Sequence, residues 1–211
     1  CGKHRIIFYY STNSSIYSFK IFCLMTNKFT ILGSGSSLGV PRIDGDFGKC
    51  NPNNQKNHRT RCCAHLKFND ISILIDTSPD LRSQLLRNKI KDVDCVLYTH
   101  AHADQTHGIN DLRAFYIKYR KRLNVYADRL TKKHLMSSFG YCFKNKPGYP
   151  AILKMNLLKK KLYFKSKMKN LIIEPIITQH GYIEAASYLI NKKLYYGSDV
   201  SKIYDKDLKK L

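Results

Sequence analysis

The chain has 211 residues, 43% of them hydrophobic and 12% aromatic, which is enough for one well-buried core and short for two. That composition excludes a disordered polypeptide, and no apolar run reaches the roughly 18–20 residues that a membrane-spanning helix needs. Lys and Arg number 37 against 15 Asp and Glu, a formal net charge of +22. Such a surface attracts phosphates and polyanions. The lysines, however, are spread along the chain among Ile, Asn and Tyr, so the charge alone names no partner.

Residues 1–25 read as an extension outside the core. Their most apolar stretch, residues 16–24, is interrupted by Lys20 and followed by no small-residue cleavage site. Met25 comes just before the first convincing strand, so a single domain is expected over residues 26–211. The seven cysteines (Cys1, Cys23, Cys50, Cys62, Cys63, Cys95 and Cys142) are odd in number and irregular in spacing. That argues against a secreted disulfide framework and for a reducing cytoplasm.

In chain order, residues 28–32 are predicted as a strand. It runs into Gly33-Ser34-Gly35-Ser36-Ser37-Leu38-Gly39-Val40-Pro41, where glycines allow tight turns and close backbone approach. Residues 42–61 are polar and rich in Gly, Asn and Pro, as in a long surface loop. Two strands, 63–68 and 71–75, are joined through Asn69-Asp70, a hairpin signal. Pro79 and its acidic neighbours mark a helix start before 81–89. An apolar strand over 93–99 delivers His100, and Cys95 within it reads as core. Helices are predicted at 110–122 and 130–139, a short strand at 123–127, and later strands at 171–177, 185–190 and 193–196. The lysine-rich stretch 154–169 alternates with Leu, Tyr and Phe, as the solvated face of ordinary secondary structure would. Mixed strands and helices with hairpins indicate an α+β class with layered sheets.

The chemistry concentrates in Thr99-His100-Ala101-His102-Ala103-Asp104-Gln105-Thr106-His107-Gly108. In an extended segment, positions i and i+2 project to the same side, so His100 and His102 can reach one ion. Asp104 continues the spacing. Imidazole and carboxylate are good ligands for Zn²⁺, which takes about four. His180 follows a predicted strand, and so does Asp199 in Gly197-Ser198-Asp199-Val200-Ser201. Each is weak alone and gains weight from its place in this order.

Those segments, with Ile31 to Pro41 and Leu74-Ile75-Asp76-Thr77-Ser78-Pro79-Asp80, resemble the metallo-β-lactamase superfamily. Within it they are most similar to the phosphodiesterase branch, which includes the phosphoribosyl cyclic phosphodiesterase of phosphonate breakdown and the tRNA-maturing RNase Z. The resemblance implies an αββα sandwich, incomplete at its C-terminus because the family's further metal-binding His lies beyond the Asp199 motif and this chain stops at Leu211. It implies that His100, His102 and His180 bind one metal, that Asp104 and Asp199 serve a second, and that Asp76 orients the site from behind its ligands. His107 is a second candidate for such a supporting role. Where the family carries a His, this chain carries Gln105, whose amide is a poor zinc ligand.

The expected cofactor is one or two Zn²⁺ ions, with Mn²⁺ or Fe as the alternatives. The expected activity is hydrolysis of a small cyclic phosphodiester by a metal-activated hydroxide, with Asp104 orienting the nucleophile. Ser36, Ser37, Arg59 and Arg61 are candidates for holding phosphate. An RNase Z-like endonuclease acting on RNA and a non-catalytic anion binder are the alternatives. No membrane partner is expected, and a homodimer is compatible with the fold.

Overall fold

The computed structural model describes residues 27–211, so the expected extension over residues 1–25 lies outside the described residues. Six strands form one sheet: β1 (Lys28–Gly33), β2 (Cys63–Phe68), β3 (Ile71–Ile75), β4 (Cys95–Leu97), β5 (Leu123–Ala127) and β6 (Leu153–Leu157), in that spatial order. β1 to β3 pair antiparallel, and β3 to β6 run parallel. A second sheet takes the order β10 (Leu194–Tyr196), β9 (Ile183–Ile190), β8 (Leu171–His180), β11 (Lys202–Ile203), and β7 (Leu162–Phe164) also pairs with β8.

The period-2 alternation of strand side chains sorts the core into two layers. In β3, Leu74 points to one side and Ile73 and Ile75 to the other; in β4, Val96 opposes Cys95 and Leu97. Leu74 and Val96 join a cluster with helices α1 (Leu81–Arg87), α3 (Arg113–Tyr119), α4 (Arg129–Ser138) and α5 (Gly140–Phe143), through Leu81, Phe115, Leu135 and Phe143. Ile73, Ile75, Cys95 and Leu97 meet Leu171, Ile173, Ala186 and Tyr188 of the second sheet. The first sheet is thus buried on both faces, which is why β3 and β4 read as unbroken apolar runs.

The strands over 63–68, 71–75 and 123–127 lie where they were predicted. Asn69 makes the hairpin turn at φ 51°, a conformation that Asn tolerates. The helix expected over 110–122 is shorter: a tight turn at Ile109–Leu112 leads into α3, and Arg120 at φ 53° ends it. The strand expected over 93–99 contracts to Cys95–Leu97, and residues 98–102 run on as irregular chain. The lysine-rich stretch contains β6 and β7, two strands not predicted individually. Lys154 of β6 and Tyr163 of β7 face solvent while Leu153 and Leu162 are buried, in keeping with a solvated face.

Two glycines bring loops together. A Cβ on Gly33 would lie 2.0 Å from the Arg61 carbonyl oxygen, and one on Gly108 would lie 2.0 Å from that of Ser78. Gly108 N–H also donates to Thr77 O at 2.9 Å, so the segment holding His100 and His102 is fastened to the 76–81 loop. Gly108→Ala is expected to cost about 1–3 kcal/mol, the range of overpacking at a rigid contact, and chemical denaturation would read the loss. Wild-type stability would show that the loops separate at no cost.

Candidate metal centre

The backbone that delivers His100 is clamped at three successive carbonyls. Leu97 O accepts from Asp76 N at 2.9 Å, Tyr98 O from the Tyr188 hydroxyl at 2.6 Å, and Thr99 O from Ala186 N at 2.8 Å. Both sheets therefore grip the end of β4, and the ligand-bearing segment leaves a rigid edge. His102 follows in extended conformation and caps the single-turn helix α2 (Ala103–Thr106), which carries Asp104 and Gln105. His180 is the last residue of β8, on the other sheet.

The three histidines converge. His100 Nε2 is 3.0 Å from His102 Nδ1, which is 3.3 Å from His180 Nε2, and the three ligand atoms lie within 4.8 Å of one another. His100 is 1% exposed, while His102 is exposed and His180 half-buried, so the cluster opens to solvent on one side. His102 Nδ1 has at most one proton to share yet faces two ring nitrogens, so hydrogen bonding alone leaves lone pairs opposed. Nitrogens on a tetrahedral zinc at about 2.0–2.1 Å sit roughly 3.3–3.4 Å apart, so the observed spacing suits one ion with a fourth position open. Among the described residues this is the one group of His, Cys, Asp or Glu with such convergence.

Behind the cluster, Asp76 is fully buried at φ 65°. Its Oδ1 accepts from Thr99 N at 2.8 Å, and its Oδ2 accepts from the Thr99 hydroxyl, also at 2.8 Å. Thr99 Oγ1 lies 3.0 Å from His100 Nδ1. Because the Thr99 hydroxyl gives its proton to Asp76, Oγ1 is left to accept from His100 Nδ1–H. The lone pair of His100 then sits on Nε2, toward the other two rings. Burial, the largest influence, pushes the His100 imidazole down to about 4, and the neighbouring His102 and His180 push the same way against Asp199. The ring is therefore neutral at physiological pH, as a ligand must be. Burial drives the Asp76 carboxyl well above its ordinary range, the two Thr99 bonds oppose it, and the charges of Asp199 and Asp104 add to the rise. Thr99 was not singled out from the sequence; the signal was a polar β-branched residue ending an apolar strand directly before a histidine.

Asp104 and Asp199 stand outside the converging trio and are joined through Gln105, whose Nε2 donates to Asp104 Oδ2 at 3.0 Å and to Asp199 Oδ2 at 3.1 Å. Burial raises the Asp104 carboxyl, and the Asp199 charge adds to it. Cys62 lies beside Gln105, its thiol pushed up to about 12 by burial and then by Asp199, so it stays protonated. His107 is not part of the trio: its ring packs edge-on against Phe139 at 5.3 Å, with Nδ1 at 3.1 Å from Thr106 Oγ1. Arg61 forms a forked ion pair with Asp80, Nε to Oδ2 at 2.9 Å and a terminal nitrogen to Oδ1 at 2.8 Å. The guanidinium edge that would fork a phosphate is thereby taken up by a carboxylate. Arg59 is exposed, with Nε on Lys56 O at 3.1 Å, and Ser36 and Ser37 are exposed on the glycine loop. Ser36 and Arg59 line a cleft of about 590 Å³ between that loop and residues 42–50.

Residues 72–211 match the beta-lactamase superfamily domain. A diphosphatase from the PhnP family is 30% identical in its crystal structure, with a TM-score of 0.66 over 78% of this chain and 61% of that one. The short form of human tRNase Z aligns with a TM-score of 0.57 over 86% of this chain and 73% of the other, but at 14% identity the likeness is one of fold. A Porphyromonas gingivalis protein described as an octanoyltransferase is 33% identical over 167 residues, 78% of this chain. The chain spans only 33% of that relative and 61% of the PhnP-family diphosphatase. The match over residues 72–211, on a two-sheet fold with its histidines gathered at one sheet edge, makes this chain a member of the beta-lactamase superfamily, most of whose proteins are metal-dependent hydrolases.

Proposed function

We propose that the chain hydrolyses phosphodiesters with a divalent ion held by His100, His102 and His180, zinc first and manganese or iron as alternatives. The observation that carries this reading is the convergence of three imidazole nitrogens from two different sheets beside a carboxylate pair. When bound, the ion supplies Lewis acidity and lowers the pKa of a coordinated water from about 15.7 toward 7. Asp76 and Thr99 hold the His100 lone pair toward the ion position. Asp104, fixed through Oδ2, offers Oδ1 to take the proton of the attacking water. Its raised pKa makes it a better acceptor than an ordinary surface carboxylate. Asp199, across the Gln105 amide from Asp104, would offer a fourth ligand to that ion. Arg59 and Ser36 line the cleft beside the glycine loop, Ser37 is exposed on that loop, and the three suit an anionic substrate.

The 30% identity to a PhnP-family diphosphatase supports a small phosphate ester as substrate. The formal charge of +22 supports RNA as the second candidate. Zinc-loaded protein should be assayed against a five-membered cyclic phosphodiester and against a precursor tRNA. Turnover of the cyclic ester, abolished by chelation and restored by zinc, is the expected result. Cleavage of the RNA alone would move the reading to the endonuclease, and no cleavage of either by metal-replete protein would end it.

A further inference from the structure

The carboxylate pair holds a feature that the three-histidine site does not require. Asp104 lies in α2 and Asp199 in the loop between β10 and β11, two segments far apart in sequence. Two carboxylates brought together repel unless a cation or hydrogen-bond donors lie between them. Here the Gln105 amide lies between them. It is wholly buried, and its Nε2 donates to Asp104 Oδ2 and Asp199 Oδ2 at 3.0 and 3.1 Å. An amide nitrogen carries two protons, and both are used.

Gln105 Oε1 is buried and meets no donor. Turning the amide over would aim that oxygen at the same two carboxylates. Three oxygens would then converge with no proton among them, an arrangement that only a hard cation sustains. The hydrogen-bond network selects the other orientation, in which no nitrogen lone pair faces the space between the aspartates. An imidazole at this position would present one.

We infer that Gln105 stands in for a second metal ion: its amide clamps Asp104 to Asp199, and the centre holds a single ion at the three histidines. The inference rests on the metal-site reading of those histidines. The clamp supplies the crosslink that a bridging ion would make, joining α2 to the Asp199 loop, without its charge. The chain thus keeps the geometry of a two-ion site while occupying one position.

The test is metal content, independent of activity. The full chain and Gln105→His are loaded with zinc, exchanged into metal-free buffer and analysed for zinc per chain. Wild type should retain one equivalent, and Gln105→His should retain a second, because the imidazole adds a nitrogen donor between the two carboxylates. Manganese-loaded wild type should give the electron paramagnetic resonance pattern of an isolated ion. Two equivalents in wild type, or a spin-coupled manganese pair, would overturn the inference and leave the histidine site standing. One equivalent in both proteins would remove Gln105 as the cause and overturn it as well. No metal in either protein would sink the histidine reading and the inference with it. If Gln105→His fails to fold, the wild-type count and the manganese spectrum still decide.

Discussion

Replacing His180 by alanine is expected to weaken zinc binding by more than about 100-fold, beyond the 10–100-fold lost when a supporting partner of a ligand is removed. The geometry behind this is a trio in which His180 Nε2 lies 3.3 Å from His102 Nδ1 and comes from a separate sheet. Without it, two neighbouring ligands on one short segment remain, too few for an ion that wants about four. His180 is half-buried at a strand end, so the metal-free variant should match wild type in stability to within about 1 kcal/mol. The loss appears only with zinc present. A 100-fold weaker Kd removes about 2.7 kcal/mol of ligand-linked stabilisation at saturating zinc. The zinc-dependent rise in Tm should therefore shrink sharply in His180→Ala, and an undiminished rise would place the ion elsewhere.

The second large effect is expected at Asp76, and two substitutions there separate positioning from folding. Asp76→Ala strands the Thr99 N–H in a fully buried place and removes the side-chain hydrogen bonds that make φ 65° tolerable there. An unsatisfied buried donor costs about 1–3 kcal/mol, and a loss in that range is expected. Asp76→Asn keeps the shape, tolerates the positive φ and retains an acceptor for Thr99 N–H. It also turns an amide N–H toward Thr99 Oγ1. The Thr99 hydroxyl must then donate to His100 Nδ1, which moves the ring proton to Nε2 and removes the lone pair that faces the ion. Asp76→Asn should thus fold within about 1 kcal/mol of wild type yet lose 10–100-fold in zinc affinity. Proton–nitrogen correlation spectra of the imidazole would show the change of tautomer. Unaltered zinc affinity in a folded Asp76→Asn protein would reduce Asp76 to a packing role.

What was legible in the sequence followed from strong local patterns. Strands 63–68, 71–75 and 123–127 announced themselves by apolar runs between turn residues, and Pro79 with its acidic neighbours marked the start of α1. His100 and His102 were legible from their i, i+2 spacing, and the resemblance to the superfamily implied His180 as the residue that joins them. β6 and β7 were obscured because each is short, lies among lysines and buries a single residue fully, Leu153 and Leu162. The helix expected over 110–122 was overdrawn because nothing in the composition signals that Arg120 adopts a left-handed conformation. At the site, two relations were out of reach because they depend on tertiary placement. Arg61 looked like a free cation until Asp80 came to lie against it. Gln105 looked like a missing ligand, whereas in the fold it bridges two aspartates.

The measurement that tests the central claim most directly is X-ray absorption at the zinc edge of the loaded chain. The account predicts nitrogen at about 2.0–2.1 Å, with the outer scattering of imidazole rings. A sulfur shell at about 2.3 Å would mean that a thiol such as Cys62, beside Gln105, binds the ion instead. That result, or a chain that retains no zinc at all, would contradict the three-histidine centre.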